Sequence, residues 1–226
     1  IRLSLVGSEM CIRDRDNKIF KPMSGRYHLY VSYACPWATR TLIYRKLKKL
    51  EEHISVSVVH PNMLDEGWIF DESFSGATKD HLYGSQYLRE LYQRADQNIT
   101  TSVTVPILWD KETETIVNNE SSQIIRMFNS EFNELTNNYD DYYPEQHRSE
   151  INSLNDLIYE TVNNGVYKSG FAKTQEAYEE AVTKLFETLN KLEDRLSSSK
   201  YLIGENVTEA DFRLIPTLLR FDAVYV

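Results

Sequence analysis

Residues 26–38 read RYHLYVSYACPWA, and the reading of the fold starts there. Over the first eight positions, aromatic or aliphatic side chains alternate with polar ones, the period-two pattern of a strand. Cys35 follows at once, and Pro36 suits the first position of a helix, where its missing N–H costs nothing. That helix is expected to run to about Glu51, with Trp37, Thr41, Tyr44 and Leu47 at mixed spacing. Arg40, Arg45, Lys46, Lys48 and Lys49 would give it a solvated basic face. ISVSVV at 54–59 is rich in β-branched residues and reads as a second strand. Strand, helix and strand in so short a span make a βαβ unit, hence a parallel pair with a right-handed crossover.

Working outward, the pattern weakens from His60 to Thr101, where only YLRELYQRA (87–95) looks helical. So long a stretch without firm elements is unusual in a compact domain and is often functional. VTVPILW (103–109) and TIVN (115–118) then read as a hairpin around the turn DKETE. Pro106 is anomalous inside a strand, because proline removes a ladder donor. A cis-proline at a strand edge beside a site would account for it. Glu120 opens a helix, ESSQIIRMFNSEF, with an acid well placed near its N-terminus.

Residues 133–146 are polar and turn-rich and read as a linker between two domains, 16–132 and 147–226. Helical patterns occupy about 147–163, 175–198 and 209–221. The middle one carries Tyr178, Val182, Leu185, Phe186, Leu189, Leu192 and Leu196 as an apolar stripe. Thr208 with Asp211 three residues on is an N-cap arrangement related to the capping box. The fold class is thus α/β plus all-α.

Composition narrows the function. Of 226 residues 41% are hydrophobic and 26% charged, which suits a packed core rather than disorder. The net charge of −9 argues against a general polyanion binder, so no nucleic-acid partner is expected. Acidity is concentrated in residues 139–226, with 16 acidic against 9 basic side chains; residues 1–138 carry 18 against 16. Two cysteines, Cys11 and Cys35, exclude a disulfide framework and a four-cysteine zinc site, and no metal is expected. No run of 18 apolar residues is present and residues 1–15 lack the apolar core of a signal peptide. The default is a soluble cytoplasmic protein without a membrane partner.

Cys35 is the sharpest chemical candidate. Between a strand and a helix N-terminus, backbone N–H groups and the macrodipole favour an anion. Such placements bring thiol pKa values into roughly the 3.5–7.5 range. A buried structural thiol remains open on these features alone, as do packing roles for Arg40 and His60, which could otherwise add positive potential. Ala38 stands where a Cys-x-x-Cys protein has its resolving thiol, so the chemistry would be monothiol: a mixed disulfide cleared by a second external thiol. Glutathione is the abundant small thiol that fits. Glu120 and Ser121 offer an amine acceptor and backbone donors, and Val105 before Pro106 could pair its backbone with the tripeptide as an added strand.

YVSYACPWATRTLIYRKLK, HPNM with GWIF, VTVPILWDKETETIVNNESSQIIRMFN, NNGVYKSGFA and LIGENVTEADFRLIPTLLRFDAVY together resemble the glutathionyl-hydroquinone reductases. These form the Xi class, grouped with the omega-like glutathione transferases, and the likeness covers about residues 16–226. The resemblance implies a thioredoxin-like N-terminal domain, a helical transferase-type C-terminal domain, a glutathione site between them and a homodimer. It implies Cys35 as the nucleophile that reduces S-glutathionyl-hydroquinones through a Cys35–glutathione mixed disulfide. Trp68 would cover the glutathione, Val105 would be its backbone partner, and Glu120 with Ser121 would bind its γ-glutamyl end. Tyr167 would line the pocket for the quinone-derived aromatic substrate. The rivals are an omega-like thiol transferase, acting by deglutathionylation or dehydroascorbate reduction, and a non-catalytic transferase-fold scaffold.

Three departures stand out. Ser102 replaces a basic residue common before the V-T-V-P run; if that side chain contacts glutathione, either affinity is lower here or a neighbour such as Arg94 supplies the contact. The family continues beyond RFDAVY, so the helical domain reads as incomplete, leaving Leu214, Leu218 and Phe221 exposed. SLVGSEMCIRDR (4–15) does not resemble the family, and residues 1–15 read as a non-native leader, which would put Cys11 outside any evolved site; a genuine leader is the alternative.

Overall fold

The computed structural model describes residues 20–63 and 65–225. The leader and Cys11 therefore lie outside the described residues. The chain divides into two compact units, Ile1–Asp140 and Asp141–Val226.

The first unit is built on a four-stranded sheet in the order β2-β1-β3-β4, where β1 is Tyr27–Val31, β2 Ser55–Val58, β3 Ile107–Asp110 and β4 Thr115–Asn118. β1 and β2 run parallel; β1 with β3 and β3 with β4 run antiparallel. Every residue of β1 is buried, as expected of a central strand covered on both faces. Tyr27 meets Phe132 edge-on at 5.9 Å on one face, towards helix α3 (Ser121–Ser130), which packs with α1 (Pro36–Leu47). Burial of a core side chain such as Leu29 or Ile107 contributes about 1.5–3 kcal/mol.

The other face carries His28 and Tyr30, covered by the stretch after β2 that looked structureless. The Tyr30 hydroxyl donates to Asp80 (3.0 Å), whose carboxylate also accepts from the N–H groups of Leu82, Ser85 and Tyr83. Burial alone would raise the Asp80 carboxyl, but these bonds outweigh it and hold it below the usual range. Backbone bonds from His60 to Ile69, Phe70 to Gln86 and Leu88 to Trp68 fold the segment on itself before α2 (Arg89–Ala95).

Four expectations need correction. The first helix stops at Leu47 because Lys49 turns left-handed (φ 56°), and Leu50 N–H then closes onto the Arg45 carbonyl. Glycine usually marks that position, so the sequence carried no stop signal. The basic face of α1 is only partly solvated: Arg40 stacks over Trp37 at 4.6 Å, and Lys48 bonds the Asp140 carbonyl, both fully buried. β3 begins at Ile107 rather than at Val103. The stretch read as linker contains a helical turn, α4 (Asn133–Thr136).

The second unit contains α5 (Arg148–Ile158), a π-helical turn at Tyr159–Asn163, α6 (Gly165–Gly170), α7 (Gln175–Leu196), α8 (Glu209–Leu218) and a final π-helical turn at Phe221–Tyr225. Thr174 caps α7 by accepting from Ala177 N–H, and the Asp211 carboxylate receives the Thr208 N–H (2.8 Å) and hydroxyl (3.0 Å) at the start of α8. Ile151, Ile158, Val162, Leu185 and Leu192 form its core with Leu214, which is buried rather than exposed. Only part of the α7 stripe faces that core, since Tyr178 and Phe186 are exposed. Two buried amides cross the core, Asn155 to the Glu209 carboxylate (2.9 Å) and Asn163 to the Thr217 hydroxyl (2.8 Å).

Arg26 and Asp110 lock β1 to β3 by a forked pair at 2.8 and 2.5 Å, next to the Tyr27–Asp110 register pair. Burial by itself would raise the Asp110 carboxyl; bonds from Arg26, Thr113 and the Glu112 N–H hold it low instead. Asp110→Asn is expected to cost about 3–5 kcal/mol in urea unfolding at neutral pH. Because the native carboxyl titrates below the unfolded one, that difference should shrink as pH falls below about 4.

Candidate active site

β1 ends at Val31, and the chain turns through Ser32, whose carbonyl accepts from Cys35 N–H (3.1 Å) and whose hydroxyl accepts from Ala34 N–H (3.3 Å). Cys35 then takes an extended conformation (φ −90°, ψ 115°) as the N-cap of α1, with Pro36 at the first helical position. A thiol thus holds the place where Ser, Thr, Asp or Asn usually caps a helix. The first turn of α1 carries no acidic residue, while Arg45 and Lys46 lie in its last turn. An anion at Cys35 would therefore meet the positive helix end without a competing carboxylate. Cys35 is half-buried, and its Sγ lies 3.6 Å from the Val105 carbonyl oxygen.

The register explains that approach. Tyr30 pairs with Ile107, so the chain after β1 and the chain before β3 leave the sheet at the same end. The Val105–Pro106 peptide bond is cis, as its place in the sequence suggested. Residues 103–105 run on past the ladder as irregular chain, the sort of place where an extended ligand can add as a strand.

The β3–β4 hairpin carries Glu120 to this same end. Glu120 is the N-cap of α3, and its Oε1 accepts from Ser122 N–H (3.2 Å), Ser122 hydroxyl (3.2 Å) and Ser121 hydroxyl (3.4 Å). Asn118 fixes it from behind by accepting the Glu120 N–H (2.7 Å) while its amide donates to Gln123 (2.6 Å). A carboxylate and a helix start lie side by side here, the combination that recognises an amino acid's ammonium and carboxylate. Trp68 is half-buried in the segment following β2, its carbonyl bonded to Leu88 N–H.

Of the remaining residues some were anticipated from sequence and others were not. Arg94, offered as a stand-in for the basic residue absent at Ser102, stacks on Tyr83 at 4.0 Å and pairs with Glu114 at 3.3 Å. Tyr92 is buried between Thr104 and Asn119, and nothing in its local pattern distinguishes it from a packing tyrosine. In the second unit Tyr167 stacks on Phe171 (6.3 Å) and meets Tyr225 edge-on at 5.8 Å, with the two hydroxyls 3.4 Å apart. Tyr225 drew no attention of its own within RFDAVY. Among the described residues no group of His, Cys, Asp or Glu could hold a metal ion, and no helix is long and apolar enough to cross a membrane.

A thiol at the helix start close to a cis-proline, on this strand order, with a separate helical unit following in the chain, defines a thioredoxin-like protein of transferase type. Family comparison bears this out: residues 34–131 match the glutathione S-transferase N-terminal domain, and residues 175–226 the C-terminal domain. The glutathionyl-hydroquinone reductase YqjG of Escherichia coli is 60% identical over 89% of this chain. The chain spans 61% of that relative's length. The glutathione-bound structure of YqjG superimposes with a TM-score of 0.90 at 59% identity, over 91% of this chain and 67% of that one. Glutathione-S-transferase Xi from Phanerochaete chrysosporium gives 0.91 at 56% identity, over 92% and 72%. The chain belongs to the glutathione transferase family, in its Xi class.

Because Glu120 caps α3, Glu120→Ala should lower stability by about 1 kcal/mol in urea unfolding, and Glu120→Asp should recover most of it.

Proposed function

We propose that this protein reduces S-glutathionyl-hydroquinones to hydroquinones with glutathione as co-substrate, using Cys35 as nucleophile. The approach of Cys35 Sγ to the Val105 carbonyl at a helix start carries the reading. A relative 60% identical is named a glutathionyl-hydroquinone reductase, and a structure 59% identical contains glutathione.

In this reading the Cys35 thiolate attacks the sulfur of the aryl thioether. A Cys35–glutathione disulfide bond forms, the sulfur–aryl carbon bond breaks, and the aryl carbon takes a proton to give the hydroquinone. A second glutathione, as thiolate, attacks the mixed disulfide, so that oxidised glutathione leaves and the Cys35 thiolate returns. The net change is reduction of the thioether by two electrons drawn from glutathione sulfur, with no metal or further oxidant. Glu120 and Ser121 hold the γ-glutamyl end, Val105 pairs with the cysteinyl backbone, and Trp68 covers the tripeptide. Tyr167 receives the aromatic ring, a role supported by its stacked, half-buried setting beside Phe171 and Tyr225. Residues 16–132 and 147–226, joined by 133–146, are proposed as the two functional domains, acting in a cytoplasmic homodimer; family resemblance is the support for those two properties.

The test is turnover. Cys35→Ser should lose at least about a thousandfold in kcat with a glutathionyl-hydroquinone while still binding glutathione in calorimetry. Mass spectrometry of the wild type after oxidised glutathione should show one glutathione on Cys35. Undiminished turnover by the variant would overturn the mechanism, and a strong preference for simple mixed disulfides would favour the thiol-transferase alternative.

A further inference from the structure

The two chain segments proposed to grip glutathione meet beyond the end of their ladder. The last β3–β4 pair on that side is Leu108 with Asn118. Continuing the register would set Pro106 opposite Glu120, and proline has no N–H to give, so strand pairing cannot hold Val105 and Glu120 together there. One buried side chain reaches both segments. Tyr92, on α2 and 1% exposed, donates its hydroxyl to the Thr104 carbonyl (2.9 Å) and accepts from the Thr104 N–H (3.1 Å). The same oxygen accepts from the Asn119 side-chain amide (3.4 Å) and touches the Thr104 hydroxyl (3.4 Å). One donor and two acceptors are all that a phenol has, and every one is used.

Thr104 precedes Val105, and Asn119 precedes Glu120. We infer that Tyr92 is a positioning residue of the glutathione site, its hydroxyl setting the spacing between the Val105 backbone and the Glu120–Ser121 helix start. The inference rests on the proposed glutathione site and adds to it a residue that touches no substrate. Thr104 is clamped through both backbone polar groups, so the peptide leading into Val105 has its plane fixed. Removing the hydroxyl leaves a half-buried amide and carbonyl to find other partners and frees the two segments to drift apart.

Glutathione titrated calorimetrically into Tyr92→Phe should bind about tenfold more weakly than into wild type, the scale of one mispaired buried group. In turnover the KM for glutathione should rise by a similar factor, while kcat at saturating glutathione falls less than about threefold. Asn119→Ala, which removes the contact to the other segment, should weaken binding about threefold and serves if the phenylalanine variant fails to fold. A purely structural role would lower the melting temperature and leave both constants within twofold. That result, with Glu120→Ala abolishing binding, overturns the inference and keeps the proposed site. A wild type that does not bind glutathione overturns both.

Discussion

The pairing of β1 with β3 governs this structure: Tyr27 lies against Asp110 at one end and Tyr30 against Ile107 at the other. Strands alternate faces with every residue, so a slip of one position would turn the apolar set of β1 outward and carry Val105 away from Cys35. The forked Arg26–Asp110 pair guards against that slip at the end remote from the cysteine. Once this register is set, the remaining geometry follows. Parallel pairing of β2 with β1 sends the Trp68 segment off the end where Cys35 lies, and the β3–β4 hairpin returns Glu120 there.

Much of the first unit was legible because local chemistry and global fold agree. The alternation in RYHLYVSY, the Cys-Pro junction, Pro106 in a strand pattern and Glu120 before an apolar run each report a local backbone preference. The same holds for Thr208 and Asp211. What escaped depends on contacts distant in sequence. Lys48 looked solvated because its partner, the Asp140 carbonyl, lies 92 residues away. Arg40 looked solvated because stacking on Trp37 leaves no pattern. Lys49 ended α1 in a conformation that any composition rule gives to glycine or asparagine.

The candidate site divides in the same way. Cys35, Val105, Glu120 and Ser121 could be argued from spacing and electrostatics, and the structure gathers their segments at one end of the sheet. Trp68 and Tyr167 were reached through resemblance alone, since an aromatic residue in a loop or helix reads first as packing. Tyr92 was beyond both routes. Its significance lies in what its hydroxyl joins, and neither periodicity nor motif records a bond between positions 92 and 119.

Ala38 has a consequence of another kind. It stands fully buried in the first turn of α1, where a second thiol could have closed an internal disulfide. In the proposed mechanism a sulfur captured at Cys35 finds no second thiol on that helix. Its release would wait on a thiol from solution, so the resting form would report how reduced the surroundings are. On that reading the protein is a relay reset from outside, idling charged when reductant is scarce and empty when it is plentiful.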